Sequence, residues 1–365
     1  MWVDASAPHR SVLDLPIPLL LLRPLGGALL LERLLRLFLV RLLLLVAGFA
    51  HSASSSGLEW LSLPESRRHT RQARIRYTPL TMAALRPVDR SQVHRAFLEA
   101  FADYAMDAGG TTEERMLLRM RKNAVDYDLS PGLYDGDRLV GFTLIGIDMW
   151  GGRLTAYDAG TGITPSFRKR GWARKMFDHA LPALRERGVG RFALEVLQQN
   201  EPAIAAYRKS GFETVRELHC FIADAEALRA LPDSTDLRIE PIDAPRFHAL
   251  TDEAAWVPSF ENRFAAVDAI PDQVTILGAW RGGECVGAVA YSPPLNWLLS
   301  LLVCRGARRR GVGRALVRHL AHNLPEAATR LAALNVDGGD VGMQTFFTEL
   351  GFEPLVDQYE MAREL

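Results

Sequence analysis

The most informative segment of this sequence reads GTGITPSFRKRGWAR and spans residues 160–174. A strand ends near Ile163, Gly171 permits a tight turn, and apolar residues recur at helical spacing from Trp172 onwards. Backbone N–H groups and the positive end of a helix dipole therefore meet at one place, which is a general arrangement for binding phosphate or pyrophosphate. Four cationic side chains lie in the same segment: Arg168, Lys169, Arg170 and Arg174. On its own, this short pattern fits a solvated basic turn equally well.

Part of this segment and two segments outside it recur later in the chain, which indicates an internal duplication. The matching segments are residues 168–173 (RKRGWA) with 308–313 (RRRGVG), 210–213 with 350–353, and 86–89 with 240–243. The first two pairs have the same separation along the chain, which we call the repeat offset, and the third pair is further apart. The second copy is therefore the same unit with a shorter segment before its arginine-glycine loop.

The length and composition agree with two folded domains. The chain has 365 residues, of which 48% are hydrophobic and 24% charged, so it can bury hydrophobic cores. We expect residues 82–222 to form unit one, residues 223–236 a linker, and residues 237–365 unit two. Basic and acidic residues both number 43, which gives no charge surplus for binding nucleic acid. Three cysteines without a Cys-x-x-Cys pair exclude a disulfide scaffold and favour a reducing cytoplasm.

Residues 1–81 differ from the rest of the chain. They contain 22 Leu, no Lys, and 10 Arg against 5 acidic residues, whereas the remainder holds 33 basic and 38 acidic residues. Charged residues between Arg23 and Arg41 interrupt the apolar run, so it lacks the roughly 20 apolar residues of a transmembrane helix. A signal peptide cleaved after Ala50 would begin unusually far into the chain. We expect either that translation starts at Met82 or that this stretch is a loosely structured, partly helical extension.

The periodicity of unit one predicts its secondary structure. Strand-like and helix-like segments follow in the order βααβββαβαβ, which predicts an α+β domain around a mixed sheet. The helix after the loop should end at Gly188, a C-cap residue, and the last strand should begin at Glu213.

Several motifs together resemble the GNAT superfamily of acyl-CoA-dependent N-acyltransferases. They are the Arg-x-x-Gly-x-Ala loop, the strand at residues 194–196, Asn200, Ala203, Tyr207 and Gly211-Phe212, in the usual order and spacing. The resemblance covers residues 82–222 closely and residues 237–365 more loosely. It implies two GNAT-like domains, each a mixed, mostly antiparallel twisted sheet flanked by helices.

The resemblance also implies that acetyl-CoA is the co-substrate and that no metal is used. Backbone groups at the end of the strand would contact the pantetheine arm, and N–H groups of residues 170–174 would hold the pyrophosphate. For Asn200, a contact with pantetheine and capping of the next helix remain alternatives. The cofactor-binding residues implied are Gly162, Ile163, Arg168, Lys169, Arg170, Gly171, Trp172, Ala173, Arg174 and Asn200.

Three residues of unit one are candidates for the catalytic steps. The resemblance implies that Tyr207 protonates the leaving coenzyme A thiolate. An amine must lose a proton to attack a thioester, and we expect Glu195, or failing that Asp158, to be the base. Each carboxylate could equally be a surface or salt-bridged residue, and Tyr207 an ordinary half-buried tyrosine. Cys220 lacks a histidine in a recognisable pattern, so we interpret it as a small buried residue.

Unit two departs from the pattern where chemistry would occur. Its loop offers a second candidate cofactor site, at Arg308, Arg309, Arg310, Gly311, Val312, Gly313 and Arg314. Alignment of Gly351 with Gly211 puts Phe347 where unit one has Tyr207, and Asp340 where unit one has Asn200. Phenylalanine cannot donate a proton, so we interpret unit two as a degenerate copy. Tyr359 is a weaker candidate for a substitute.

The sequence therefore predicts a cytoplasmic N-acetyltransferase that acts on a primary amine of a small molecule or protein by direct attack in a ternary complex. The alternative is a non-catalytic acyl-CoA-binding or interaction protein. We expect a monomer in which the two units pair like a dimer, with neither a nucleic acid nor a membrane as partner. Residues 102–104 and Met149-Trp150 should line the acceptor cleft.

Overall fold

The computed structural model describes residues 79–102, 111–233, 236–325 and 328–365. The expectations for residues 1–78, and for Asp103 and Tyr104 in the acceptor cleft, lie outside these ranges. Among the described residues, no helix combines the length and apolar character that crossing a membrane requires.

Twelve described strands form one continuous sheet. They are β1 (Thr81–Ala84), β2 (Pro131–Asp135), β3 (Arg138–Trp150), β4 (Arg153–Ile163), β5 (Arg191–Leu197), β6 (Glu213–Asp224), β7 (Arg238–Pro241), β8 (Thr275–Arg281), β9 (Glu284–Ser292), β10 (Trp297–Val303), β11 (Arg330–Asp337) and β12 (Glu353–Glu364). Their order across the sheet is β1-β2-β3-β4-β5-β12-β6-β11-β10-β9-β8-β7. The pairs β4–β5 and β10–β11 are parallel, and the other pairs of described strands are antiparallel.

Helices cover the faces of this sheet. Those described are α1 (Arg90–Phe101), α2 (Glu113–Lys122), α3 (Trp172–Glu186), α4 (Glu201–Lys209), α5 (Ala225–Arg229), α6 (Ala244–His248), α7 (Ala266–Ala269), α8 (Val312–His322) and α9 (Val341–Glu349). Helix α3 buries Met176, Phe177 and Leu184 on one side, as the apolar spacing requires. It ends just before Gly188, whose φ of 74° is the left-handed conformation expected after a helix.

The α+β fold class and the order of elements in unit one are confirmed. The observed order is β1-α1-α2-β2-β3-β4-α3-β5-α4-β6, which is the predicted βααβββαβαβ. The segment 223–236, expected to be a linker, contains the end of β6 and helix α5.

The last strands of the two units are exchanged, which the sequence did not predict. Strand β12 of unit two lies between β5 and β6 of unit one, and β6 lies between β12 and β11 of unit two. Leu218 pairs with Gln358, its own equivalent at the repeat offset, so an axis of pseudo-twofold symmetry passes through this pair. Met361 of β12 is fully buried in the core of unit one, in a cluster with Phe212. The two units therefore share one sheet.

In each unit, two parallel strands separate part-way along their length. Pairing of β4 with β5 ends at Asp158 opposite Leu194, and the register of β3 with β4 skips Ala159, a β-bulge. In unit two the pairing of β10 with β11 ends at Leu298 and the bulge falls at Leu299, both at the repeat offset from their equivalents in unit one. The remaining parts of β4 and β5 diverge and leave an opening, which we call the splay, with its apex at Asp158.

Candidate active site

The loop before α3 has the backbone geometry of an anion-binding site. Lys169 and Gly171 have φ values of 61° and 73°, both left-handed, and Gly171 has no side chain that could cap the helix. Lys175 makes an i→i−4 hydrogen bond, to the carbonyl of Gly171 at 3.2 Å. Helix geometry therefore leaves the amides of Trp172, Ala173 and Arg174 without intrahelical acceptors. The predicted junction of loop and helix is present.

The basic side chains of the loop have different roles. The Arg168 guanidinium donates to the backbone carbonyls of Ile163 at 3.0 Å and Ala100 at 2.7 Å, so it fixes the loop to β4 and α1. Lys169, Arg170 and Arg174 are exposed, and Arg174 lies 3.6 Å from Asp178. The positive charge available to a ligand at the loop thus comes from these three exposed side chains and from the helix terminus.

Gly162 has a packing role. A Cβ atom at Gly162 would lie 2.7 Å from the ring of Phe142 and 3.1 Å from the Cβ of Ala100. The absence of a side chain therefore lets β4 pack closely against β3 and α1, while the other edge of β4 faces the splay.

Tyr207 and Asp158 meet at the apex of the splay. Tyr207 packs between Phe177 and Phe212, with ring centroids 5.9 Å from each, and its hydroxyl hydrogen-bonds to the Asp158 carboxylate. Asp158 also accepts the Gly160 N–H at 3.0 Å and the Thr161 hydroxyl at 2.8 Å. Burial raises the pKa of Asp158 to about 6, although these hydrogen bonds oppose the rise.

Asn200 caps helix α4. Its Oδ1 accepts the Ala203 N–H at 3.2 Å. In unit two, Asp340 caps α9 in the same way, accepting the Met343 N–H at 2.9 Å. The capping role of Asn200 is therefore present, and its contact with pantetheine stays a prediction.

Glu195 lies on the opposite face of the sheet from Asp158 and Tyr207. It follows Leu194, whose side chain packs with Tyr207, and successive residues of a strand alternate between faces. Glu195 is 4% exposed, and its Oε2 accepts the Tyr157 hydroxyl at 2.9 Å and the Asn335 amide at 2.7 Å. Burial raises the pKa of Glu195 to about 7. Glu195 is thus neither a surface residue nor part of an ion pair with another described residue.

Sequence reasoning missed Asn335 and Tyr157, which hold Glu195. The signal for Asn335 was available, since it follows Glu195 at the repeat offset that relates the two units. No pattern identified Tyr157, whose ring stacks on Phe260 of unit two with centroids 4.5 Å apart.

Unit two keeps the loop but not the polar groups. Arg309 and Gly311 have φ values of 59° and 79°, as in unit one. The places of Asp158, Tyr207 and Glu195 are taken by Leu298, Phe347 and Asn335. A Cβ atom at Gly313 would lie 3.0 Å from the ring of Phe346, so this glycine makes room for an aromatic ring.

Met149 and Trp150, the expected acceptor-cleft residues, differ in exposure. Met149 is 57% exposed, whereas Trp150 is buried and its Nε1 donates to the Pro258 carbonyl at 2.8 Å. Among the described residues, no group of three or more His, Cys, Asp or Glu side chains is arranged to hold a metal ion.

Two comparisons of sequence both match acetyltransferases. The model of the acetyltransferase (GNAT) family matches residues 85–212 and again residues 239–352. A curated relative, the streptothricin acetyltransferase of Streptomyces lavendulae, is 44% identical over 78 residues, which are 21% of this chain. The match covers 40% of the length of that relative.

Solved structures share the two-unit fold. A tandem GNAT protein from the clavulanic acid biosynthesis pathway has a TM-score of 0.61 at 17% identity, covering 78% of this chain and 98% of that chain. A GCN5-related N-acetyltransferase from Sphaerobacter thermophilus has a TM-score of 0.58 at 15% identity, covering 78% of this chain and 95% of that chain. At these identities the likeness concerns the fold.

Proposed function

This chain belongs to the acetyltransferase (GNAT) family, and from that premise we propose that unit one transfers an acetyl group from acetyl-CoA to a primary amine of a small molecule or protein. The observation that carries the proposal is the pair Tyr207–Asp158 at the apex of the splay. A proton donor stands where two strands separate, beside a loop suited to pyrophosphate. Unit two lacks such a donor at the equivalent position, since it has Phe347 there.

The residues of unit one fit acetyl-CoA. A Cβ atom at Gly171 would meet nothing within 4 Å, so the space in front of the α3 N-terminus is open. The amides of Trp172, Ala173 and Arg174 would hold the pyrophosphate, with Lys169 and Arg170 supplying charge. The edge of β4 at Gly162 and Ile163 would offer backbone groups to the pantetheine arm. Bound acetyl-CoA supplies the thioester whose acyl group is transferred.

The proposed proton transfers use groups on both faces of the sheet. Glu195 takes a proton from the acceptor ammonium, directly or through water, and the neutral nitrogen attacks the thioester carbonyl. The nitrogen gains a positive charge on attack and loses its second proton to solvent as the carbon–sulfur bond breaks, while the Tyr207 hydroxyl gives its proton to the departing sulfur. Asp158 orients that hydroxyl at the apex and acts as its positioning residue. The proton on Glu195 leaves to solvent, and Tyr207 regains one.

A screen of amines tests this proposal against the non-catalytic alternative. Acetyl-CoA consumption would be followed with amino acids, polyamines, aminoglycosides and peptides, and with streptothricin, after which the curated relative is named. Thioester cleavage that requires one class of amine identifies the acceptor. If acetyl-CoA binds and none of these amines is acetylated, the alternative of a non-catalytic acyl-CoA-binding protein is favoured.

Gly171→Ala should weaken acetyl-CoA binding by roughly five- to tenfold, because alanine disfavours the left-handed φ of 73° by about 1 kcal/mol and shifts the amides of the loop. Gly188→Ala is a matched control at the other end of α3, since Gly188 has φ of 74° and also has nothing within 4 Å of a Cβ atom. Both variants should lose similar thermal stability, but the dissociation constant for acetyl-CoA, measured by calorimetry, should change only for Gly171→Ala. Equal affinities would contradict the assignment of the loop.

We also propose that the protein is a cytoplasmic monomer. Strand exchange within one chain already gives the pairing that two copies of a single unit would otherwise supply. The three cysteines are free, in agreement with a reducing compartment. Light scattering after gel filtration should give a mass near 40.5 kDa, and twice that mass would contradict the monomer.

A further inference from the structure

Three buried carboxylates lie close together where unit two covers the sheet of unit one. Glu261 is paired with Arg119 at 2.9 Å and with Lys122 at 3.6 Å. Glu360 is paired with Arg216 at 2.8 Å. Glu195 has no cation within ion-pair distance among the described residues; its partners are the neutral donors of Tyr157 and Asn335.

The partners of Glu195 all contact one of its two oxygens. Oε2 receives both hydrogen bonds, whereas Oε1 has no hydrogen-bond partner among the described residues although it is buried. A neutral donor can fix a carboxylate without the large fall in pKa that a cation would cause. This arrangement suits a general base that works near neutrality, because one oxygen is held and the other has no hydrogen-bond partner among the described residues.

The orientation of the Asn335 amide is set by a second hydrogen bond. Gln358 Nε2 donates to Asn335 Oδ1 at 2.6 Å, so the amide can offer only its NH₂ group to Glu195. The Asn335 backbone is left-handed, with φ of 58°, a conformation that asparagine adopts more readily than most residues. Its N–H donates to Cys220 Sγ at 3.4 Å, which fixes the position from β6.

The twofold relation between the units explains why residue 335 is asparagine and not glutamate. Glu195 and Asn335 are equivalent positions that contact each other across the pseudo-twofold axis. If both units carried glutamate here, two carboxylates would meet and could not both be ionised. Asparagine removes that repulsion and supplies a donor in its place.

We propose that Asn335, although it belongs to the unit without catalytic groups, is a positioning residue for the base of unit one: with Tyr157 it holds Glu195 Oε2 so that Oε1 accepts the proton of the acceptor amine. This inference rests on the proposed function. Unit two thereby completes the active site of unit one through Asn335, the residue that is equivalent to Glu195 at the repeat offset.

The test is the pH dependence of kcat/KM. Glu195 must be ionised to act, so activity falls as pH drops through its pKa of about 7. Removal of the Asn335 donor destabilises the carboxylate and moves this acid limb to higher pH. The groups that face Glu195 come from five elements and from Glu261. They are Tyr157 from β4, Asn335 from β11, Glu360 from β12, Cys220 and Arg216 from β6, and Glu261 with its partners Arg119 and Lys122 from α2. Apart from Asn335 itself, they are unchanged in the variants below.

Two substitutions suit the left-handed backbone at position 335. Asn335→Gly should move the acid limb of the kcat/KM profile to higher pH by about one unit. At pH 7 this lowers kcat/KM by roughly fivefold, and above pH 9 the value should recover. Asn335→Asp places a carboxylate against Glu195 and should raise the limb further. The matched control is Asn296→Gly. Asn296, like Asn335, is buried and has φ of 58°, and its Oδ1 accepts the Tyr291 hydroxyl at 2.9 Å. The Asn296→Gly variant should keep the acid limb at the pH of the parent protein.

A second readout does not need activity. The pKa of Glu195 is higher in the folded chain than its ordinary value of 4.5, so its contribution to stability is complete below pH 4.5 and is lost as pH rises through the folded-state pKa. Relative to Glu195→Gln, the parent protein should lose Tm between about pH 4.5 and pH 7 and then level off. In the Asn335→Gly background the levelling should occur about one pH unit higher.

The outcomes separate the two proposals. Shifted profiles in both readouts support Asn335 as a positioning residue. If no amine is acetylated, the proposed function fails and the Tm profile alone decides whether Asn335 stabilises ionised Glu195. An Asn335→Gly protein that folds, by circular dichroism, and keeps the acid limb and the Tm profile of the parent overturns the inference.

Discussion

Tyr207→Phe should lower kcat for acetyl transfer by about 10² to 10³-fold, while the dissociation constant of acetyl-CoA stays within about twofold of the parent value. The substitution removes only the hydroxyl that hydrogen-bonds to Asp158. The ring that packs on Phe177 and Phe212 remains, so the core around α4 keeps its aromatic contacts. The loop that would hold the pyrophosphate is untouched. Single-turnover kinetics and calorimetry separate the two quantities.

Tyr359→Phe is the matched control for this prediction. Tyr359 lies in β12, opposite Val196, and contacts the same hydrophobic cluster as Tyr207. No described hydrogen bond joins the Tyr359 hydroxyl to a group at the apex of the splay. The Tyr359→Phe variant should therefore retain the parent activity. If Tyr207→Phe keeps the parent kcat, Tyr207 is not the acid. If Tyr359→Phe shows the loss instead, the acid comes from the exchanged strand.

The sequence was sufficient for features that depend on local rules. The junction at Gly171 follows from a glycine and a helical period, and the structure has the left-handed φ and the helix start that these require. The order of elements in unit one also follows from periodicity and turn residues. The repeat offset predicted that Phe347 of unit two is equivalent to Tyr207 of unit one. The structure shows the same offset between the two β-bulges, at Ala159 and Leu299.

The exchange of β6 and β12 could not be read from local patterns. Each strand has the same alternation whether it pairs within its own unit or with the other, and each would bury a similar face. The choice depends on contacts between residues far apart in sequence, such as Met361 with the core around Phe212. The contact between Gly313 and Phe346 could not be predicted for the same reason, because Phe346 comes from another element.

The surroundings of Glu195 depend on this exchange. The sequence identified a carboxylate on a strand beside the expected splay. Its partner Asn335 comes from β11, and its cross-strand neighbour Glu360 comes from β12. Both strands belong to unit two, so a reading of unit one alone could not supply them.

The exchange predicts that unit one cannot fold alone. A fragment of residues 79–236 lacks β12, the strand whose residues 358–364 pair with β5. It also lacks Met361 from its core, and a comparable large-to-small core change costs about 2–5 kcal/mol. We expect this fragment to be unfolded or aggregated, and co-expression with residues 237–365 to restore a folded complex that binds acetyl-CoA.

A grafted strand makes this prediction specific. Residues 353–365, joined to the fragment 79–236 by a flexible linker, can occupy the place of β12 between β5 and β6. Circular dichroism and thermal melting should show recovery of folded protein with this graft, and no recovery with the same graft carrying Met361→Asp, because an aspartate would be buried among apolar side chains. Cooperative unfolding of the fragment 79–236 without any added strand would contradict the expectation. Unit two supplies both the strand β12 and the amide of Asn335 that bonds to Glu195, so unit one depends on unit two for its sheet and for the surroundings of Glu195.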